Sequence, residues 1–214
     1  MNRRMLAVFL SLSVVPLLAS PVLADDLLPP PWRGQADTTF AQWGFGDPSP
    51  SPAPCYETNP YGGSYLTVTP CGAVGWLQLW GGRDGVWPLS GTIEAYIYNS
   101  PISNPYKDIW VQLTWSPSAP GGIPVVQDLI SGQVGSVVGQ TQLEATNETP
   151  LYDHWYHTTY LIHIEPNPYM ENVKISGDIN VDQLVIDTIC APEPGVVALL
   201  SVGAMAMIRR RKRS

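Results

Sequence analysis

Between Asp25 and Cys190 the chain has almost no basic residues. Arg33, Arg83, Lys107 and Lys174 are the whole supply, set against seventeen of the chain's eighteen acids, so this stretch carries a net −13. A surface of that sign repels nucleic acid and anionic membrane, both of which need clustered cations; it favours solubility and divalent cations. Helical periodicity is missing as well. Eighteen prolines and seventeen glycines interrupt these 166 residues too often for long helices. Enzyme signatures are lacking: there is no Gly-x-Ser-x-Gly elbow, phosphate-binding loop, dinucleotide fingerprint or His-Glu-x-x-His. Glu94 with Glu144, or with Asp108, could form a glycosidase pair, but that chemistry depends on a carboxyl separation that only folding sets. The expectation is a protein without catalytic activity.

Only three cysteines are present. Cys55 and Cys71 flank a Gly/Pro/Tyr-rich loop and are expected to pair in an oxidising compartment, which leaves Cys190 over. Long apolar runs occur only near the two ends. Arg3 and Arg4 precede the stretch Met5 to Leu18, and Val22-Leu23-Ala24 suits signal peptidase, so cleavage is expected between Ala24 and Asp25. At the other end Pro192-Glu193-Pro194 is followed by fourteen uncharged residues, Gly195 to Ile208, and then by Arg209, Arg210, Arg211, Lys212 and Arg213. As a helix that run would measure about 21 Å, short of a bilayer core of about 30 Å, with its cations held on the cytoplasmic side.

A Pro-Glu-Pro tripeptide, a short apolar segment and a basic tip in this order resemble the PEP-CTERM sorting signal of Gram-negative-type bacteria. The resemblance implies an exported protein, held in the inner membrane by a short C-terminal transmembrane helix and then processed by an exosortase-type transpeptidase or protease. It further implies a destination at the cell surface or in an exopolysaccharide-associated matrix, in a structural or adhesive role. The expected division is a signal peptide over 1–24, a proline-rich arm over 25–54, a β domain over 55–190 and the sorting tail over 191–214.

Within the body, short alternating runs read as strands: 75–80, 92–98, 109–115, 137–145, 156–165, 172–176 and 179–189. In the second, Ile93, Ala95 and Ile97 share one face; in the third, Ile109, Val111, Leu113 and Trp115 do so. Strands joined by Pro/Gly loops predict an all-β fold, a single β-sandwich of jelly-roll type. The segment Val173 to Asp187 resembles the closing strands of carbohydrate-binding jelly rolls. The stretch Leu27 to Pro54, with Pro29-Pro30-Pro31 and alternating prolines from Pro48 to Pro54, reads as an extended arm lying against the sandwich.

Eight Trp and ten Tyr all lie in the body. The outward residues Glu94, Tyr96 and Tyr98, with Trp110 and Gln112, would form a glycan platform if the two strands pair as a hairpin around Asn99 to Asp108. The alternative is that the arm or the second sheet covers this face. Trp76 and Trp80, on one strand face, read as packing. His154, His157 and His163 are too far apart along a strand to share a zinc ion and read as solvent-facing. Asp178, Asn180 and Asp182 alternate as calcium ligands do, but Gln183 and Ile189 stand where an EF-hand needs Gly and Glu. A solvated strand edge competes with a structural calcium there, and no other cofactor is expected.

Overall fold

The computed structural model describes residues 25–70, 75–102, 104–148 and 154–191. Twelve strands and no helix make up the described residues: β1 (Thr38–Gly44), β2 (Tyr56–Thr58), β3 (Tyr65–Thr69), β4 (Leu77–Trp80), β5 (Arg83–Leu89), β6 (Thr92–Tyr98), β7 (Tyr106–Pro117), β8 (Val125–Asp128), β9 (Ser136–Ala145), β10 (His154–Ile164), β11 (Met170–Ser176) and β12 (Ile179–Ala191). They form two antiparallel sheets. The larger runs β2-β1-β12-β7-β10-β9, with β5 joining β12 and β4 joining β5; the smaller runs β3-β6-β11-β8. The expected signal peptide, Cys71, and the tail from Pro192 onward lie outside the described residues.

Alternation explains the packing. Ile93, Ala95 and Ile97 of the small sheet face Ile109, Val111, Leu113 and Trp115 of the large one, together with Leu184 and Ile186 of β12 and Val173 and Ile175 of β11. All are buried in one core between the sheets. This is a β-sandwich, and each of the seven expected strands is found, β6 with the expected bounds and the others with one or both ends shifted by one to three residues. The shifts are ordinary for sequence-read boundaries, since backbone pairing and not periodicity decides where a strand stops.

The stretch from Leu27 to Pro54 departs from its reading as an arm alone. Residues 38–44 form β1, which pairs with both β12 and β2 inside the large sheet. The reason is visible in Thr-Thr-Phe-Ala-Gln-Trp-Gly: Thr39, Ala41 and Trp43 alternate inward, and Trp43 is fully buried. The prolines lie on either side of this run, so its ladder is intact.

Residues 25–33 do lie across the outer face of the large sheet. Leu28 N–H donates to Gln112 Oε1 (2.8 Å), Trp110 Nε1 donates to Leu28 O (2.8 Å), and Gln112 Nε2 donates to Asp26 Oδ1 (2.6 Å). That cover explains why an outward row of polar residues, Gln112, Thr114, His157, Thr159 and Asp187, is buried. Each arm contact supplies a partner that water would otherwise provide.

Candidate functional site

The expected glycan platform divides between the two sheets. β6 pairs with β3 and β11, and β7 pairs with β12 and β10, so no hairpin joins β6 to β7. The chain crosses from one sheet to the other between Tyr98 and Tyr106. Glu94, Tyr96 and Tyr98 therefore face outward from the small sheet, while Trp110 and Gln112 face outward on the opposite side of the sandwich, beneath the arm. Periodicity told the inward from the outward residues on each strand but could not tell which strand lay beside which.

The small sheet's outer face keeps its three expected residues and gains others from strands remote in sequence. Register sets Tyr65 of β3, Tyr96 of β6 and Asn172 of β11 side by side in one row across the sheet, and Thr67, Glu94 and Lys174 in the next. The Tyr65 and Tyr96 rings stack with centroids 4.6 Å apart and planes within 9°. Tyr98 meets Tyr169 edge to face at 6.3 Å. Tyr65 is 44% and Tyr169 70% exposed, so aromatic surface reaches solvent on both sides of the row. The Tyr96 hydroxyl donates to Glu94 Oε2 (2.8 Å), and Asn172 Nδ2 approaches the same oxygen at 3.4 Å. That carboxylate, followed by burial, raises the Tyr96 phenol, which stays a donor at neutral pH. Among the described residues the buried Asn172 Oδ1 has no hydrogen-bond partner. An aromatic ledge beside a carboxylate, a carboxamide and a lysine is suited to stacking on a sugar ring while bonding its hydroxyls.

The opposite face is organised by two arginines. Arg33 bridges Asp26 and Asp187, donating to Asp187 from both Nε (2.5 Å) and Nη2 (2.6 Å), and its guanidinium lies 4.5 Å over the Phe40 ring. Arg83 joins Asp25, Asp182 (2.6 Å) and Glu144 (2.6 Å). An open cleft of about 460 Å³ lies here, lined by Asp25, Phe45, Arg83, Asp84, Glu144 and Asp182, among others. Burial pushes Asp182 up to about 6 although Arg83 pulls it down. One guanidinium engages three of the four carboxylates, an arrangement that ties the arm to the sheet. Glu144 stands here on β9 and Glu94 on the small sheet, so that pair does not converge.

The calcium candidates are also dispersed. Asp178 is exposed in the turn before β12, Asn180 is buried and donates to Pro117 O (3.3 Å), and Asp182 holds Arg83. Among the described residues no three His, Cys, Asp or Glu side chains converge as a metal site.

The histidines differ from one another. His157, expected to face solvent, is buried under the arm with Thr114 Oγ1 and Gln112 Oε1 each 3.2 Å from its ring nitrogens, and burial lowers it. His163 is exposed between Asp108 (2.6 Å) and Glu165 (3.1 Å), which raise it. Trp76 donates to Phe45 O (2.7 Å) and packs against the core, and Trp80 meets Trp155 edge to face at 5.5 Å. Both act in packing, as read. Cys55 is exposed near Gly44, its expected partner Cys71 lying outside the described residues; Cys190 is buried beside Lys107.

Tyr65, Tyr169 and Asn172 escaped the sequence reading. Tyr65-Leu66-Thr67-Val68-Thr69 alternates as a strand does but was not among the expected strands, and its adjacency to β6 leaves no local trace. The chain matches no protein-family model, no curated protein and no solved structure.

Proposed function

We propose that this is an exported, non-catalytic protein of the cell surface or extracellular matrix that holds a polysaccharide on the outer face of its small sheet. The carrying observation is the exposed Tyr65–Tyr96 stack with Glu94 and Asn172 in adjoining positions. Delivery rests on the two ends of the sequence: a leader ending at Ala24, and the Pro-Glu-Pro, apolar and basic elements from Pro192 to Arg213. An exosortase-type enzyme and, transiently, the inner membrane are the partners this implies.

The strand order supports a jelly-roll reading. β1-β12-β7-β10 in one sheet and β6-β11-β8 in the other give a two-sheet sandwich with long crossovers, in which β9 has joined the large sheet. Open sheet faces of such sandwiches offer a broad, shallow surface suited to a chain-like ligand. The body's acidity favours a neutral polymer over an anionic one, since like charges repel.

A pull-down of the purified chain on insoluble polysaccharides and a glycan array tests the binding. Retention on a neutral polymer, lost in Tyr65→Ala/Tyr96→Ala, is expected. Failure to bind any neutral or acidic polymer removes the glycan role. Cell fractionation with mass spectrometry of the native C-terminus tests the delivery: a full-length chain in the cytosol removes it.

A further inference from the structure

At one end of the core, where β6 crosses to β7, the inward row of each sheet ends in a charged residue. Lys107 continues the row of Ile109 and Val111; Glu171 continues that of Val173 and Ile175. Both are fully buried. Lys107 Nζ is in direct contact with the Glu171 carboxyl and with Oδ1 of Asn99, itself 2% exposed. Asn99 is fixed: its Nδ2 donates to Pro168 O (2.9 Å) and its backbone N–H to Tyr169 O, which turns the carboxamide oxygen toward the lysine. Among the described residues no donor other than Lys107 reaches Glu171. Cys190 lies across the β7–β12 ladder from Lys107, with Sγ 3.5 Å from Nζ, and Asp128 is taken by Ser131 and by Asn172 N–H.

As an ordinary ion pair this arrangement is poor. Two dehydrated charges with one shared contact recover little of their lost hydration. Burial pulls the Lys107 ammonium down to about 8, with weaker opposing pulls from Cys190 and Asp128. That makes the neutral amine, about a tenth of the population at pH 7, accessible within reach of a carboxamide, and a buried carboxyl stands beside it to move protons.

We propose that Lys107 and Asn99 join in an intramolecular isopeptide bond, formed by the folded chain itself with Glu171 as the catalytic residue. Glu171 first takes the ammonium proton of Lys107; neutral Nζ then attacks Cγ of Asn99, and the protonated Glu171 hydrogen-bonds the carboxamide oxygen as negative charge gathers there. Glu171 then passes the proton lost by Nζ to Nδ2. The Cγ–Nδ2 bond breaks, Nδ2 departs as ammonia, and the Nζ–Cγ amide remains. Amine plus primary amide gives secondary amide plus ammonia, so no oxidant, water or cofactor is consumed, and Glu171 is left as the neutral acid it became before the attack. The product removes a buried charge and ties β7 of the large sheet to the end of β6 of the small one. For a protein exposed outside the cell, such a staple resists pulling and proteolysis. The inference stands apart from the glycan proposal, since the two sites share no residue.

Intact mass spectrometry and tryptic mapping of the full chain test it. Arg83, Lys107 and Lys174 are the consecutive tryptic sites here. The expected product is a peptide spanning 84–174, uncut after Lys107 and lighter by one ammonia. Release of an unmodified peptide 84–107 overturns the bond. Glu171→Gln, verified as folded by circular dichroism, should retain the full mass and cleave normally at Lys107. If it still loses ammonia at this pair, Glu171 has no catalytic role. Should that variant not fold, the wild-type digest alone still decides whether the bond exists.

Discussion

Arg33 and Asp187 lie 154 positions apart and meet through two nearly parallel hydrogen bonds, although Asp187 is fully buried beneath the arm. Without this contact a carboxylate on the outer face of a central strand would have no cation. Arg33→Ala should therefore destabilise the fold by about 3 kcal/mol, because it leaves a charge buried alone. The double variant with Asp187→Ala should lose less than the sum of the two single changes. Urea denaturation measures both, and a change under about 0.5 kcal/mol for Arg33→Ala would show the arm to be energetically idle.

Stability should depend on pH in an uncommon direction. Burial pushes Asp182 and Asp187 up to about 6 in the folded chain despite their arginines. The unfolded chain releases those protons near pH ~4. The folded state thus binds more protons across this window, and stability falls as pH rises from about 4 to about 6. His163, raised by Asp108 and then Glu165, adds to the fall as pH climbs further; His157, lowered by burial, works against it. Thermal melts between pH 4 and 7 should show the decline, and Asp187→Asn should flatten it. An unchanged slope in that variant rules out Asp187 as a source.

The two expected aromatic groups should separate in binding. Tyr65→Ala is expected to weaken polysaccharide retention about tenfold, ~1.4 kcal/mol, through loss of one stacking ring. Trp110→Ala should leave affinity unaltered, because that indole is engaged with Leu28 O on the other face. Affinity electrophoresis on both variants is the comparison. The reverse pattern would move the binding surface to the large sheet.

Glycine substitutions test the loop backbone beside the cleft. Gly82 has φ +80° with open space where a Cβ would go, so Gly82→Ala should cost only the left-handed conformation, about 1–2 kcal/mol. At Gly85, with φ +77°, a Cβ would lie 2.1 Å from Phe45 O. Backbone cannot rotate away as a side chain does, so Gly85→Ala should cost at least twice as much. Equal melting temperatures for the two variants would contradict that contact.

Most strands were legible where polar and apolar residues alternated without interruption, as in Thr92 to Tyr98 and Ile109 to Trp115, although β3 (Tyr65–Thr69) alternates too and was not among those expected. Others that were missed had local disguises. β5 holds Gly85 and Pro88, residues that read as a loop, yet Val86, Trp87 and Leu89 are buried. β1 stood between two proline-rich stretches. The candidate site was half legible: outward orientation marked Glu94, Tyr96 and Tyr98, but also marked Trp110 and Gln112, which the arm covers. Lys107 and Glu171 gave no hint, because a lone charge in an alternating run reads as a strand end exposed to water.

Composition and alternation alone determined the all-β class, the acidity of the body and the inward faces of β6 and β7. These follow from burying apolar surface with a two-residue period, a local property. Tertiary structure decided which strands are neighbours, and hence that Tyr65 and Asn172 flank Tyr96, that Arg33 reaches Asp187, and that Lys107 meets Asn99 and Glu171. Pairing between distant strands depends on how two whole sheets close over a common core, and no short window of residues carries that information.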